Sequence, residues 1–98
     1  MWRHGDVLIG AAAAIPEGAR ERHTPILVRG EMTGHSHQIE VPGSAEVWEY
    51  AGEMFLKVVA PSARVIHEEH RPITLPRGIY RVWQQREYTP AAIRRVVD

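Results

Sequence analysis

The 98-residue chain contains no cysteine. That excludes a disulfide framework, a thiolate metal site and a cysteine nucleophile. It also lacks a long apolar run. The longest weakly polar stretch, Val7 to Ile15, is too short to cross a bilayer. Met1-Trp2-Arg3-His4-Gly5-Asp6 has neither the charged start nor the apolar core of a signal peptide. No membrane association is expected, and a cytoplasmic location is the simplest reading. There is no Walker loop, no dinucleotide glycine fingerprint and no serine in a nucleophile elbow. Repeats, low-complexity tracts and long linkers are absent too.

Net charge is zero, but it is unevenly spread. Residues 1–50 carry four Arg against seven acidic residues, and residues 51–98 carry eight basic residues against five acidic ones. The halves are therefore near −3 and +3, and strong non-specific nucleic-acid binding is not expected. With 44% hydrophobic and 24% charged residues, the composition is that of an ordinary globular chain. Its length suits one domain, residues 1–98, with a homodimer interface a plausible supplement to a modest core.

Turn signals recur about every ten residues between short apolar or alternating segments. Asp6-Val7-Leu8-Ile9 reads as a strand, and residues 10–24 as a loop with a short helical piece, limited by Pro16 and Gly18. Ile26-Leu27-Val28 and His35 to Val41 form a second β region. Glu46 to Tyr50 and Glu53 to Val59, flanking Ala51-Gly52, make the clearest hairpin. Pro61-Ser62 and Pro76-Arg77-Gly78 read as turns. Gly78 to Tyr88 reads as a long strand, with Tyr80, Val82 and Gln84 on one face and Ile79, Arg81 and Trp83 on the other. Trp2, Trp48 and Trp83 read as core or interface aromatics. Thr89 as N-cap, Pro90 at the first helical position, and Ile93, Val96 and Val97 on one face predict a helix over about 90–97. The sum is a mainly β fold: a small β-barrel or β-sandwich of about 6–7 short antiparallel strands, with its β core over about 5–88 and a C-terminal helix.

Four of the six histidines fall in two tetrapeptides, Gly34-His35-Ser36-His37 and His67-Glu68-Glu69-His70. On a strand, His35 and His37 would share one face, and two imidazoles on one face can hold one divalent ion. His67 would contribute from a strand, and His70 from the bend before Pro72. The spacing is not that of the helical zinc-protease signature. His35, His37, His67 and His70 are thus the candidate metal ligands, for zinc, iron, manganese or nickel. Glu68 and Glu69 are candidate ligands, orienting partners or general bases, and His70 a candidate proton shuttle. Arg86 could hold an anion by its fork, with Tyr88 on the same face. His4 reads as near-terminal and exposed, and His23 as a residue of a charged loop.

Gly34-His35-Ser36-His37 with Glu40, and Pro76-Arg77-Gly78, resemble in part the two metal motifs of cupins, which are small metal-binding β-barrels. Glu40 lies closer to His37 than that pattern expects, and Arg81 stands where its second motif has histidine.

Three functions fit these residues. The first is a metal-dependent hydrolase or oxygenase acting on a small molecule. The second is a metal-free ribonuclease or phosphodiesterase with histidines as general acid and base, and Arg86 or Lys57 on the phosphate. The third is a non-enzymatic interaction module.

Overall fold

A computed structural model describes residues 1–29 and 34–85, together with the backbone of 86–88 and 93–95. The strands are β1 (Trp2–His4), β2 (Val7–Ala11), β3 (Arg20–Arg22), β4 (Ile26–Arg29), β5 (Ser36–Ile39), β6 (Ala45–Tyr50), β7 (Glu53–Ile66), β8 (Ile73–Gln84), β9 (Arg86–Tyr88) and β10 (Ile93–Arg95). Pro42–Ser44 forms a single 3₁₀ turn.

Eight strands make one antiparallel sheet in the order β1-β2-β8-β7-β5-β4, with β6 also on β7 and β3 on β6. The expected antiparallel β class therefore holds, while the closure of a barrel does not, and the sheet has eight strands rather than about 6–7. β1 and β4 end the hydrogen-bonded path, and both are short, at three and four residues. A barrel needs its first and last strands to pair. Here side chains of β1, at one end of the path, meet those of β5, next to the other end.

β7 and β8 organise the sheet. The Ala51-Gly52 hairpin is as expected, with Tyr50 opposite Glu53. Both turn residues take positive φ, 50° and 80°, the combination of a type I′ turn. Pro61 and Pro76 do not end strands. β7 runs through one and β8 through the other, as two arms of one long ladder. The register steps from Val58 opposite Gly78 to Ser62 opposite Pro76, so β7 carries two extra residues in a bulge. Proline has no ladder N–H to lose at such a place. Beyond the bulge, β7 exchanges β6 for β5 as its neighbour.

The core lies on the inner face. Val7 and Ile9, Leu56 and Val58, and Leu75, Tyr80 and Val82 are buried in one cluster. Tyr80 and Val82 lie on the inward face that alternation predicts for this strand. Tyr80 also donates its hydroxyl proton to the Pro76 carbonyl at 2.5 Å.

Two further expectations are corrected. No helical piece occurs in residues 10–24. Ala12 N–H bonds to the Ile79 carbonyl, and Arg20–Arg22 pairs with β6 as a charged edge strand. The C-terminal helix is also not found. Ile93–Arg95 is a strand that pairs with β9 in a separate two-stranded sheet, and the rest of the proposed helix lies outside the described residues. Thr89-Pro90 suits a strand connection as well as a helix start, and β-branched Ile93, Val96 and Val97 favour strand. Among the described residues, no helix is long and apolar enough to cross a membrane.

Candidate metal centre

The β1–β2 hairpin sets the first two residues of the site. His4 pairs with Val7 across Gly5-Asp6, and Gly5 takes the positive φ of 65° that this two-residue turn requires. The turn holds His4 and Asp6 inward, only 2% and 3% exposed. Gln84, at the end of neighbouring β8, donates its side-chain N–H to Asp6 Oδ2 at 2.5 Å. The Gln85 backbone N–H donates to the Asp6 carbonyl at 2.7 Å. Asp6 is thus fixed from both ends.

β5 supplies His37, 1% exposed and on the same inward face as Ile39. The bend between β7 and β8 supplies His67 and His70. In the sheet path β1 and β5 are separated by three strands, roughly 19 Å in a flat sheet. Yet His4 Nδ1 lies 2.9 Å from His37 Nδ1. The cluster therefore sits where the sheet curls far enough to bring edge strand β1 against β5.

The rings are close. Centroids are 4.9 Å apart for His4 and His37, 4.3 Å for His37 and His67, and 4.6 Å for His67 and His70. One ligand nitrogen from each of His37, His67 and His70 lies within 4.8 Å of the other two. Nitrogens around a tetrahedral zinc ion at about 2.0–2.1 Å would be roughly 3.4 Å apart. A modest inward movement of the rings closes the difference.

Proton placement follows from the partners. His4 Nε2 donates to the Arg71 carbonyl at 3.0 Å, so its Nδ1 carries the lone pair in the neutral ring. Burial first, and the neighbouring His37 second, lower the His4 pKa from 6.5 to about 4. His37 Nε2 lies 3.5 Å from Asp6 Oδ1. His67 Nδ1 accepts the Glu69 backbone N–H at 3.0 Å, so it must exchange this bond, or its Nε2 proton, to take an ion.

Of the four histidines singled out in the sequence, three converge and one does not. β5 begins at Ser36, so His35 precedes the strand, and its side chain stays about a third exposed while His37 is buried. His35 Nδ1 instead meets Glu69 Oε1 at 2.6 Å, with its ring 5.6 Å from that of His67. Glu68 accepts the Ser36 backbone N–H at 3.3 Å. Its carboxyl is held below the ordinary carboxylate range, by its own backbone N–H first and with a contribution from that of Ser36. The two glutamates tie the 67–70 bend to the start of β5 at the rim of the cluster.

His4 is the residue that sequence reasoning misplaced. It is buried at the heart of the cluster rather than exposed. The signal was His-Gly-Asp, a tight-turn sequence with an acid two residues on. Glu40 pairs with Arg64 at 3.3 Å, and Arg81 pairs with Glu53 at 2.9 Å and lies over Trp83. Neither enters the cluster, so the cupin likeness does not extend to the ligand set. His23 pairs with Glu21 on the surface, and Lys57 lines a groove with Arg77 and Ile79. Arg86 and Tyr88 sit on β9, and their side chains lie outside the described residues.

No curated protein and no solved structure matches the chain. A family model described as a domain of unknown function, DUF8820, matches residues 3–85. That span holds His4, His35, His37, His67, His70 and Asp6, and stops short of Arg86 and Tyr88. Over this length, most of its 98 residues, the chain belongs to the DUF8820 family.

Proposed function

We propose that this protein binds a divalent transition-metal ion through His37, His67 and His70. The observation that carries this reading is the convergence of three imidazole nitrogens within 4.8 Å, brought from a strand and a distant bend. Structural packing seldom needs this arrangement. Grouped imidazoles repel one another once protonated. A shared cation held by neutral rings avoids that repulsion. An all-imidazole set suits zinc, iron or nickel, and the nearby carboxylate of Glu69 also admits manganese.

A bound ion with an open position would act as a Lewis acid or activate a water molecule. The side chains at the rim suit hydrolytic chemistry on a small molecule. Glu69 can accept a proton there, His35 holds Glu69 in place, and Glu68 steadies the segment that carries His37. His70 is both a candidate ligand and a candidate proton carrier.

The test is elemental mass spectrometry on untagged protein. About one metal ion per chain is expected, falling sharply in His37→Ala. No metal after reconstitution with zinc, iron, manganese and nickel would remove this reading. RNA cleavage that persists in chelator would then favour the metal-free acid–base alternative.

A further inference from the structure

His4 lies outside the group of three, yet the partners of His4 and His37 set up an unusual contact. Two ring nitrogens, His4 Nδ1 and His37 Nδ1, face each other at 2.9 Å. Each ring has an acceptor at its other nitrogen. The Arg71 carbonyl takes the His4 Nε2 proton at 3.0 Å. The buried carboxylate of Asp6 faces His37 Nε2 at 3.5 Å, long for a hydrogen bond but within ion-pair reach. Asp6 is itself anchored by Gln84. An outer acceptor that holds a histidine's second N–H is the usual partner of a metal-ligating imidazole.

Proton bookkeeping makes the case sharper. If both outer acceptors are satisfied by Nε2–H groups, two neutral rings would present lone pairs to each other at 2.9 Å. That is repulsive unless a cation lies between them. A hydrogen-bonding proton can serve. A metal ion can also serve. For nitrogen ligands at about 2.0–2.1 Å, a separation of roughly 2.9 Å matches the edge of an octahedron, and roughly 3.4 Å that of a tetrahedron.

We infer that His4 is a further ligand of the proposed metal centre, and that His4 and His37 bind the ion through their facing Nδ1 atoms, with Arg71 and Asp6 as outer partners. This rests on the metal-binding reading above and extends it. Ion binding needs a lone pair on each Nδ1, so any proton lying between them leaves to solvent, and both rings are Nε2–H tautomers in the bound state. The centre then takes nitrogen ligands from β1, from β5 and from the bend between β7 and β8. It joins β1, one end of an unclosed sheet, to β5, the strand next to the other end, so metal binding and the curl of the fold are coupled.

Zinc chloride is the probe. Long-range ¹H–¹⁵N NMR on wild-type protein, with and without one equivalent of zinc, reports which ring nitrogen carries the proton. Both His4 and His37 are expected to show metal-shifted Nδ1 and protonated Nε2. Competition titration with a zinc indicator gives the second readout. Asp6→Asn should weaken binding by about 10–100-fold, and His4→Gln by at least as much. A His4 Nδ1 signal unmoved by zinc, or wild-type affinity in His4→Gln, would overturn the inference. If zinc binding nonetheless falls in His37→Ala, His67→Ala and His70→Ala, only the role of His4 fails. If wild-type protein takes up no zinc, the inference and the metal-binding reading fail together. The NMR arm uses unaltered protein, so misfolding of a variant cannot decide the result.

Discussion

Acidification of the metal-free protein should cost stability through His4. The ring is 2% exposed and its pKa falls from 6.5 to about 4 on folding. The unfolded chain therefore binds a proton at this site that the folded chain refuses between those values. Stability is complete above the unfolded pKa and drains away as pH falls toward 4. The whole displacement corresponds to roughly 3 kcal/mol, at about 1.4 kcal/mol per pH unit. Most of it is reached early. From pH 7 to pH 5 the His4 contribution drops by about 2 kcal/mol. Urea unfolding followed by tryptophan fluorescence, in chelator, is a suitable assay. With a slope of about 1–3 kcal/mol per molar urea, the midpoint should fall by roughly 1 M. His4→Gln keeps an amide N–H for the Arg71 carbonyl but cannot titrate, so its loss over the same range should be smaller by about that amount. Equal losses in the variant and the wild type would refute the assignment.

Other consequences can be checked with similar tools. Zinc at a hundredfold excess over its dissociation constant should stabilise the fold by about 2.7 kcal/mol, raising Tm by roughly 10–20 °C in a thermal melt. Chelator should reverse the rise. Ala51 occupies a left-handed position in the β6–β7 turn, so Ala51→Asn should stabilise the protein by about 0.5–1 kcal/mol in urea unfolding. Leu56 is fully buried among core residues, and Leu56→Ala should cost about 3 kcal/mol or more by the same measurement. Pro61 lies in the β7 bulge rather than at a turn, so Pro61→Ala should shift stability by no more than about 0.5 kcal/mol.

Local pattern made much of the sheet legible. The Ala51-Gly52 hairpin, the inward face of Tyr80 and Val82, and the strand carrying Val7 and Ile9 all follow from alternation and turn chemistry, which act between near neighbours. The errors came where a local signal has two meanings. Proline at 61 and 76 can end a strand or sit in a bulge. Only the pairing of β7 with β8 selects the bulge, because the partner strand supplies the remaining ladder bonds. Arg20-Glu21-Arg22 has no strand pattern of its own and becomes a strand by lying against β6.

The candidate site divides in the same way. Its chemistry was written in the sequence: histidines in two clusters, glutamates between them and no cysteine limit any ion to imidazole and oxygen ligands. Which imidazoles meet was settled by tertiary structure. His35 stands just before β5 and pairs with Glu69, whereas His4 comes to His37 across thirty-three positions of sequence. Side-chain direction at short range follows from φ and ψ, but convergence at long range follows from the curl of the whole sheet. β1, β5 and the bend between β7 and β8 meet only through the path of the whole sheet, which no single segment of sequence contains.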